Sequence, residues 1–286
     1  MKKIRVGING FGRIGRAFLK IAFERPEIEI VAVNDLGDIA NMAYLLKYDT
    51  VYREWNHDIK VEGDSLIIDG KKIKVLAQKD PSALPWKDLD IDVVVESTGL
   101  FISYDKANAH IKAGAKKVVI SAPAKEEAGR PEKEEVHGET ILLGVNEEKF
   151  GICDITSNAS CTTNAASPLI AILDEALGIE KAILNTVHGY TASQGIVDGP
   201  NKKPARPGSA GGDFREGRAA AQNIVPSSTG AAIAVTKAFT KLEGLFDGVA
   251  MRVPVPAGSI VDVTFISKKN TTKEEVNEIL EKASKD

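Results

Sequence analysis

Residues 4–16 read IRVGINGFGRIGR, and this stretch decides the fold. Ile4 to Ile8 is a short β-rich run that ends in glycines. The segment that follows, RIGRAFLKIAFER, carries helical periodicity. Between them Gly10, Gly12 and Gly15 form G-x-G-x-x-G, placed after a strand and opening a helix. A second apolar run, IEIVAVND, ends at Asp35, which lies 20 residues beyond Gly15. A dinucleotide-binding βαβ unit wants its acid at about that distance. In such a unit Gly10 permits the tight turn and Gly12 lets the backbone approach a pyrophosphate. Gly15 lets helix and strand pack closely. The unpaired N–H groups of the first helical turn then face the phosphates. Asp35 would accept hydrogen bonds from the adenosine ribose, and its charge would repel a 2′-phosphate. NAD is therefore expected over NADP.

Three more apolar runs extend the same pattern: DVVVESTG (residues 92–99), KKVVISAP (116–123) and TILLGVN (140–146). Runs of this kind suit a parallel sheet buried on both faces. Helical stretches such as DKANAHIKAGA alternate with them, which is the rhythm of a doubly wound fold. Ligands collect at the carboxyl ends of such strands, which nominates Ser97, Thr98, Gly99 and Ser121 as cofactor contacts. The charged stretch 125–139 reads as a solvated surface loop.

The chain has 286 residues, too many for one average core, so two domains are expected. Hydrophobic residues make up 43% and charged residues 27%, the balance of an ordinary globular protein. A net charge of −3 offers no bulk attraction for nucleic acid or an anionic membrane. No apolar run reaches the ~18 residues expected of a membrane span, and the N-terminus lacks a signal-peptide pattern. Two cysteines, Cys153 and Cys161, fit a reducing compartment, and a cytoplasmic location is expected.

Cys161 sits in SNASCTTN (157–164), among small residues, most of which can hydrogen-bond, and an apolar helical run follows at once. Ser160 is a capping residue type, so the helix is expected to start at the thiol. There the positive end of the helix dipole favours the thiolate, the nucleophilic form of cysteine. His188 follows 27 residues later, in a strand-like run. A helix and a returning strand could bring its imidazole to the sulfur as a base. Spacing alone leaves this pair open. Cys153 reads as a buried small hydrophobe, and His57, His110 and His137 read as structural.

SNASCTTN, with GINGFGRIGR, YLLKYDT, ESTGLF, HGYTASQ, DGP, RAAAQNIVPSSTGAA and MRVPVP, resembles the phosphorylating glyceraldehyde-3-phosphate dehydrogenases along the whole chain. The resemblance implies that Cys161 attacks an aldehyde, with His188 as base, and that inorganic phosphate cleaves the resulting thioester. It assigns Thr191 and Arg252 to the phosphate of glyceraldehyde 3-phosphate. Ser160, Thr162, Thr229 and Gly230 go to the attacking phosphate. Arg13 and Ile14 are assigned to the pyrophosphate, and Leu36 and Pro200 point again to NAD. A homotetramer is implied. The fold implied is α/β: a Rossmann-type NAD-binding domain over residues 1–157, then a catalytic α+β domain with a mixed sheet over 158–286, incomplete at its C-terminus.

Three departures accompany the resemblance. Residues 197–218 are longer than the matching family loop by about nine residues, most simply a surface insertion around 200–215. Ala165 stands where many relatives carry a second cysteine. Family members also continue for several dozen residues, including an asparagine that holds the nicotinamide carboxamide, so a fragment of a longer protein is expected. Two other readings stand beside the main one: an erythrose-4-phosphate dehydrogenase, or a non-catalytic binding module.

Overall fold

The computed structural model describes residues 2–124, 136–200 and 213–285, and the chain divides into two compact units. Residues 1–141 with 147–159 form the first, and 142–146 with 160–286 the second. Residues 125–135 of the charged stretch 125–139 and most of the extended loop, 201–212, lie outside the described residues; within that stretch Gly138 and Glu139 belong to a strand and not to a loop.

The first unit runs β1 (Ile4–Asn9), α1 (Arg13–Phe23), β2 (Ile28–Asn34), α2 (Ile39–Lys47), then a small hairpin of β3 (Tyr48–Asp49) and β4 (Arg53–Glu54). It continues through β5 (Ile59–Glu62), β6 (Ser65–Ile68), β7 (Lys71–Leu76), β8 (Val93–Glu96), α3 (Tyr104–Lys112), β9 (Lys117–Ile120), β10 (Gly138–Thr140) and β11 (Ile155–Ser157). Nine strands form one sheet in the order β10-β11-β9-β8-β1-β2-β7-β6-β5. Pairing is parallel from β10 to β7 and antiparallel through β6 and β5. Val6, Ile8, Val33, Val94 and Val118 are buried, as expected of strands covered on both faces.

Two features differ from the sequence reading. The run TILLGVN is not a strand: only Thr140 belongs to one. Gly144 adopts φ 71°, and the Asn146 side chain accepts the Leu142 N–H at 2.8 Å, so the chain turns and leaves the sheet. The strands β5 to β7 are also absent from that reading: β5 and β7 interleave charged with apolar residues, and the apolar run of β6 is only three residues long.

The turn from β1 into α1 is sterically constrained. Gly10 has φ 93°, and a Cβ there would lie 2.6 Å from the Thr98 nitrogen. At Gly15 a Cβ would lie 2.1 Å from the Gly10 carbonyl oxygen. Gly12 differs: a Cβ there would meet nothing within 4 Å.

The second unit comprises α4 (Cys161–Leu177), β12 (Ile179–Gly189), β13 (Val225–Ser228), α5 (Ala231–Ala238), β14 (Phe246–Val253), β15 (Ser259–Ser267) and α6 (Lys273–Ala283). Its mixed sheet has the order β13-β14-β12-β15. Alternate residues of the strands, among them Leu184, Phe246, Val263 and Phe265, pack with Ile170, Leu173, Val235 and Ile279 of the helices. The helices therefore cover one face of this sheet. Thr272 caps α6 by accepting the Glu275 N–H at 3.2 Å.

These contacts predict opposite outcomes for two glycines. Gly15→Ala must push the loop away from the helix and costs about 1–3 kcal/mol. Gly12→Ala exchanges one helix-capping residue for a weaker one and costs less than about 1 kcal/mol. Urea denaturation of the two variants measures the difference.

Candidate functional site

In the first unit, β1, β2, β8 and β9 end side by side at Asn9, Asn34, Glu96 and Ile120. The glycine turn follows β1, and Gly12 takes the capping position of α1 without a side chain. The amides of Arg13 and Ile14 belong to the first helical turn, where no preceding carbonyl can reach them. Open space at Gly12 and these amides together make a cradle for a phosphate ester that any Cβ would intrude upon. The Arg13 guanidinium pairs with Asp49, so its contribution to an anion comes from the backbone. Ile14 and Leu36 present exposed side chains.

The other nominated residues of this unit divide into two groups. Asp35 accepts the Phe11 N–H at 2.7 Å on one carboxylate oxygen and the Gly37 N–H at 2.9 Å on the other. It thus braces the glycine turn, and each oxygen retains a lone pair for a ribose hydroxyl. Ser97 turns its hydroxyl to the carbonyls of Asn9 (3.1 Å) and Gly10 (2.7 Å). Thr98 gives its hydroxyl proton to Glu96, and Ser121 donates to the Glu96 carbonyl at 3.0 Å. Those three hydroxyls hold the scaffold. Gly99, with φ 73° and open space around it, leaves its backbone approachable. Pro200 is exposed at the edge of the described residues.

In the second unit the helix begins at the thiol. Ala159, in the left-handed region with φ 57°, turns the chain. Ser160 then caps α4, accepting the Thr163 N–H at 3.1 Å, and Cys161 is the first helical residue. Its sulfur is exposed at the positive end of a 17-residue helix. Strand β12 returns antiparallel to β15 and parallel to β14, and in that register His188 stands opposite Arg252. The result is a triad. His188 Nε2 lies 3.2 Å from Cys161 Sγ, and Arg252 Nη1 lies 2.6 Å from His188 Nδ1.

Nδ1 also lies 2.6 Å from the Gly189 carbonyl oxygen. Two tautomers answer these neighbours. A proton on Nδ1 goes to Gly189 and leaves the Nε2 lone pair facing the sulfur, ready to take a proton. A proton on Nε2 faces the sulfur instead, while Nδ1 accepts from Arg252. Burial lowers the imidazole pKa below its ordinary value, and Arg252 lowers it further against the opposing pull of the Gly189 carbonyl. The neutral ring, the form that acts as a base, is thereby favoured near neutrality. Burial also lowers the Arg252 pKa. Its Nε is buried without a hydrogen-bond partner, a donor fit for an anion.

The remaining expected anion contacts are placed less closely. Thr162 is buried one residue past the sulfur. Thr191 lies three residues past His188, and its hydroxyl is 3.0 Å from that of Ser193. Thr229 and Gly230 stand at the start of α5, where the Thr229 hydroxyl accepts the Ala231 N–H at 3.1 Å. Cys153 is buried, with its thiol donating to the Ile155 carbonyl at 3.1 Å. Sequence reasoning missed one arrangement here, the contact of Arg252 with the far side of the imidazole, since only strand register reveals it.

Residues 4–104 match the family model described as the glyceraldehyde 3-phosphate dehydrogenase NAD binding domain, and residues 160–286 match that family's C-terminal domain. The cofactor of the first unit is NAD. The glyceraldehyde-3-phosphate dehydrogenase of Streptomyces coelicolor is 47% identical over 286 residues, covering 99% of this chain and 79% of its own. That of Mycolicibacterium smegmatis is 48% identical over 290 residues, covering 98% and 79%. Glyceraldehyde-3-phosphate dehydrogenase 1 of Bacillus subtilis is 45% identical over 283 residues, covering 98% and 78%. With both units matched in chain order and a thiol, imidazole and guanidinium in contact, this chain belongs to the glyceraldehyde-3-phosphate dehydrogenase family of NAD-dependent oxidoreductases.

Proposed function

We propose that the chain oxidises and phosphorylates D-glyceraldehyde 3-phosphate to 1,3-bisphosphoglycerate through a thioester on Cys161, a step of glycolysis and gluconeogenesis. The observation that carries this reading is the 3.2 Å contact between Cys161 Sγ and His188 Nε2. His188 takes the Cys161 thiol proton, the thiolate attacks the aldehyde carbon, and the proton returns from His188 to the oxygen, giving a hemithioacetal. His188 takes that hydroxyl proton back as the hydride departs. NAD, when bound by the glycine turn and the strand tips, supplies the hydride acceptor that turns the hemithioacetal into a thioester. Inorganic phosphate then attacks the thioester carbon, the C–S bond breaks, and Cys161 leaves as thiolate. Arg252, with its unpaired Nε, and Thr191 fit the substrate phosphate. Ser160, Thr162, Thr229 and Gly230 fit the attacking phosphate.

The same reading carries a cytoplasmic homotetramer. Among the described residues no helix is long and apolar enough to cross a membrane. Ile183, Val249, Ile260 and Ile266 are exposed on the second sheet, on the face its helices do not cover. An uncovered apolar sheet face favours association with another copy.

The first test follows reduction of NAD in the presence of glyceraldehyde 3-phosphate and inorganic phosphate. Cys161→Ser loses on the order of 10³-fold or more in kcat, and His188→Asn loses about 10²–10⁴-fold. Reduction that ignores phosphate, or that proceeds only with NADP or with erythrose 4-phosphate, contradicts the proposal. A Cys161 that iodoacetamide alkylates no faster than a free small-molecule thiol would favour a binding module instead.

The pH profile tests His188. Its base form is lost on acidification, and burial together with Arg252 holds that loss below the ordinary histidine range. The acid limb of kcat/KM is therefore expected below that range. Arg252→Gln removes a positive neighbour that disfavours imidazolium, so the limb moves upward. A downward movement would exclude His188 as the base. Static light scattering tests assembly: four chains are expected, with a smaller mass for Ile260→Glu.

A further inference from the structure

Beneath the strand tips of the first unit lies a buried polar network that the reaction chemistry does not use. Glu96 and His110 are both fully buried. The Trp86 indole can only donate, and it points at His110 Nδ1 from 3.0 Å. Nδ1 must then be the acceptor, which puts the ring proton on Nε2, facing Glu96 Oε2 at 3.0 Å. The same carboxylate oxygen accepts from Asn9 Nδ2 at 2.5 Å. The other oxygen accepts the Thr98 N–H at 2.8 Å and the Thr98 hydroxyl. Four donors thus converge on two oxygens.

The network continues outward. Asn9 Oδ1 accepts from Asn34 Nδ2 at 2.7 Å, and Asn34 Oδ1 accepts the Gln78 N–H at 2.8 Å. The Asn34 carbonyl receives the Gly10 N–H at 2.8 Å, and the Asn9 carbonyl receives the Ser97 N–H at 2.7 Å. The glycine turn and the Thr98–Gly99 turn are therefore fixed, within one or two residues, to groups bonded to Glu96, and the Asp35 corner is joined to them one step further out, through Asn34 and Asn9.

We propose that Glu96 is a positioning residue for the cofactor, with His110 fixing its carboxylate. It sets the spacing between the pyrophosphate turn and the Thr98–Gly99 backbone. The inference rests on NAD as the ligand of this unit, and a parent protein that fails to bind NAD would mark that reading, not this one, as the failure. A buried carboxylate has a physical advantage here over an amide. It accepts from all four donors, whereas an amide at this position offers an N–H to at least one group that is itself a donor.

The test is calorimetric titration of the full chain with NAD. Glu96→Gln raises Kd on the order of tenfold, since one buried donor meets another. KM for NAD rises with it, while KM for glyceraldehyde 3-phosphate and the alkylation rate of Cys161 in the cofactor-free protein stay within about twofold of the parent. His110 supplies a conservative pair. His110→Leu, which removes the donor to Glu96, weakens NAD binding on the order of tenfold, and His110→Gln, which retains an N–H donor, recovers most of the loss. Folded variants that bind NAD like the parent would overturn the proposal. So would an equal loss of NAD affinity, substrate KM and Cys161 reactivity. If Glu96→Gln fails to fold, the two His110 variants decide; failure of all three to fold assigns the network to the core alone and also overturns it.

Discussion

His188 and Arg252 face each other across one parallel strand pair, and the second unit's chemistry depends on that register. Strand side chains alternate between faces, so a slip of one strand by one residue would leave the two groups on opposite faces of the sheet. The register is secured by burial along the whole ladder. Leu184 and Ala250 are shut in beneath the helices, and Ala182 and Phe246 pack in the same core. A slip would expose those on the strand that moved. Hydrophobic burial at one end of the strands thus fixes a polar contact at the other.

The thiol is placed by a different device. Ala159 accepts a backbone conformation that non-glycine residues rarely adopt, and Ser160 caps the helix that begins immediately after. The sulfur needs no long side-chain reach, because the main chain delivers it. Its neighbour on the far strand is then a matter of tertiary packing, through Ala166, Ile170 and Leu173 against the sheet. The stability of the core and the 3.2 Å sulfur–nitrogen distance are in this sense one property.

Much of this was legible in the chain itself. The glycine turn, the acid at Asp35 and the buried strands all announce themselves through local spacing, because each depends on residues a few positions apart. Cys161 was legible for the same reason: a cap and an apolar helical run flank it. His188 was legible only as a candidate, since 27 residues of helix and strand intervene. Its contact with Arg252 was not legible, because 64 residues separate the partners and strand pairing alone joins them. TILLGVN misled because an apolar composition is shared by strands and by buried turns, and Gly144 and Asn146 decide between them. Glu96 and His110 were hidden for another reason: one reads as the polar end of an apolar run, the other as an ordinary helix residue. Nothing in either local pattern shows that both are sealed from water and bonded together.

That sealed pair has a consequence for how the chain is made. Its network draws on positions 9, 34, 78, 86, 96, 98 and 110, so no short piece of the chain contains it. Contacts of such long sequence separation form only after the intervening loops have closed. A ribosome that has released only the first βαβ segment has exposed the whole glycine fingerprint, yet none of the bonds that join it to Glu96. Cofactor recognition is thus a property of the finished sheet and not of its most recognisable motif.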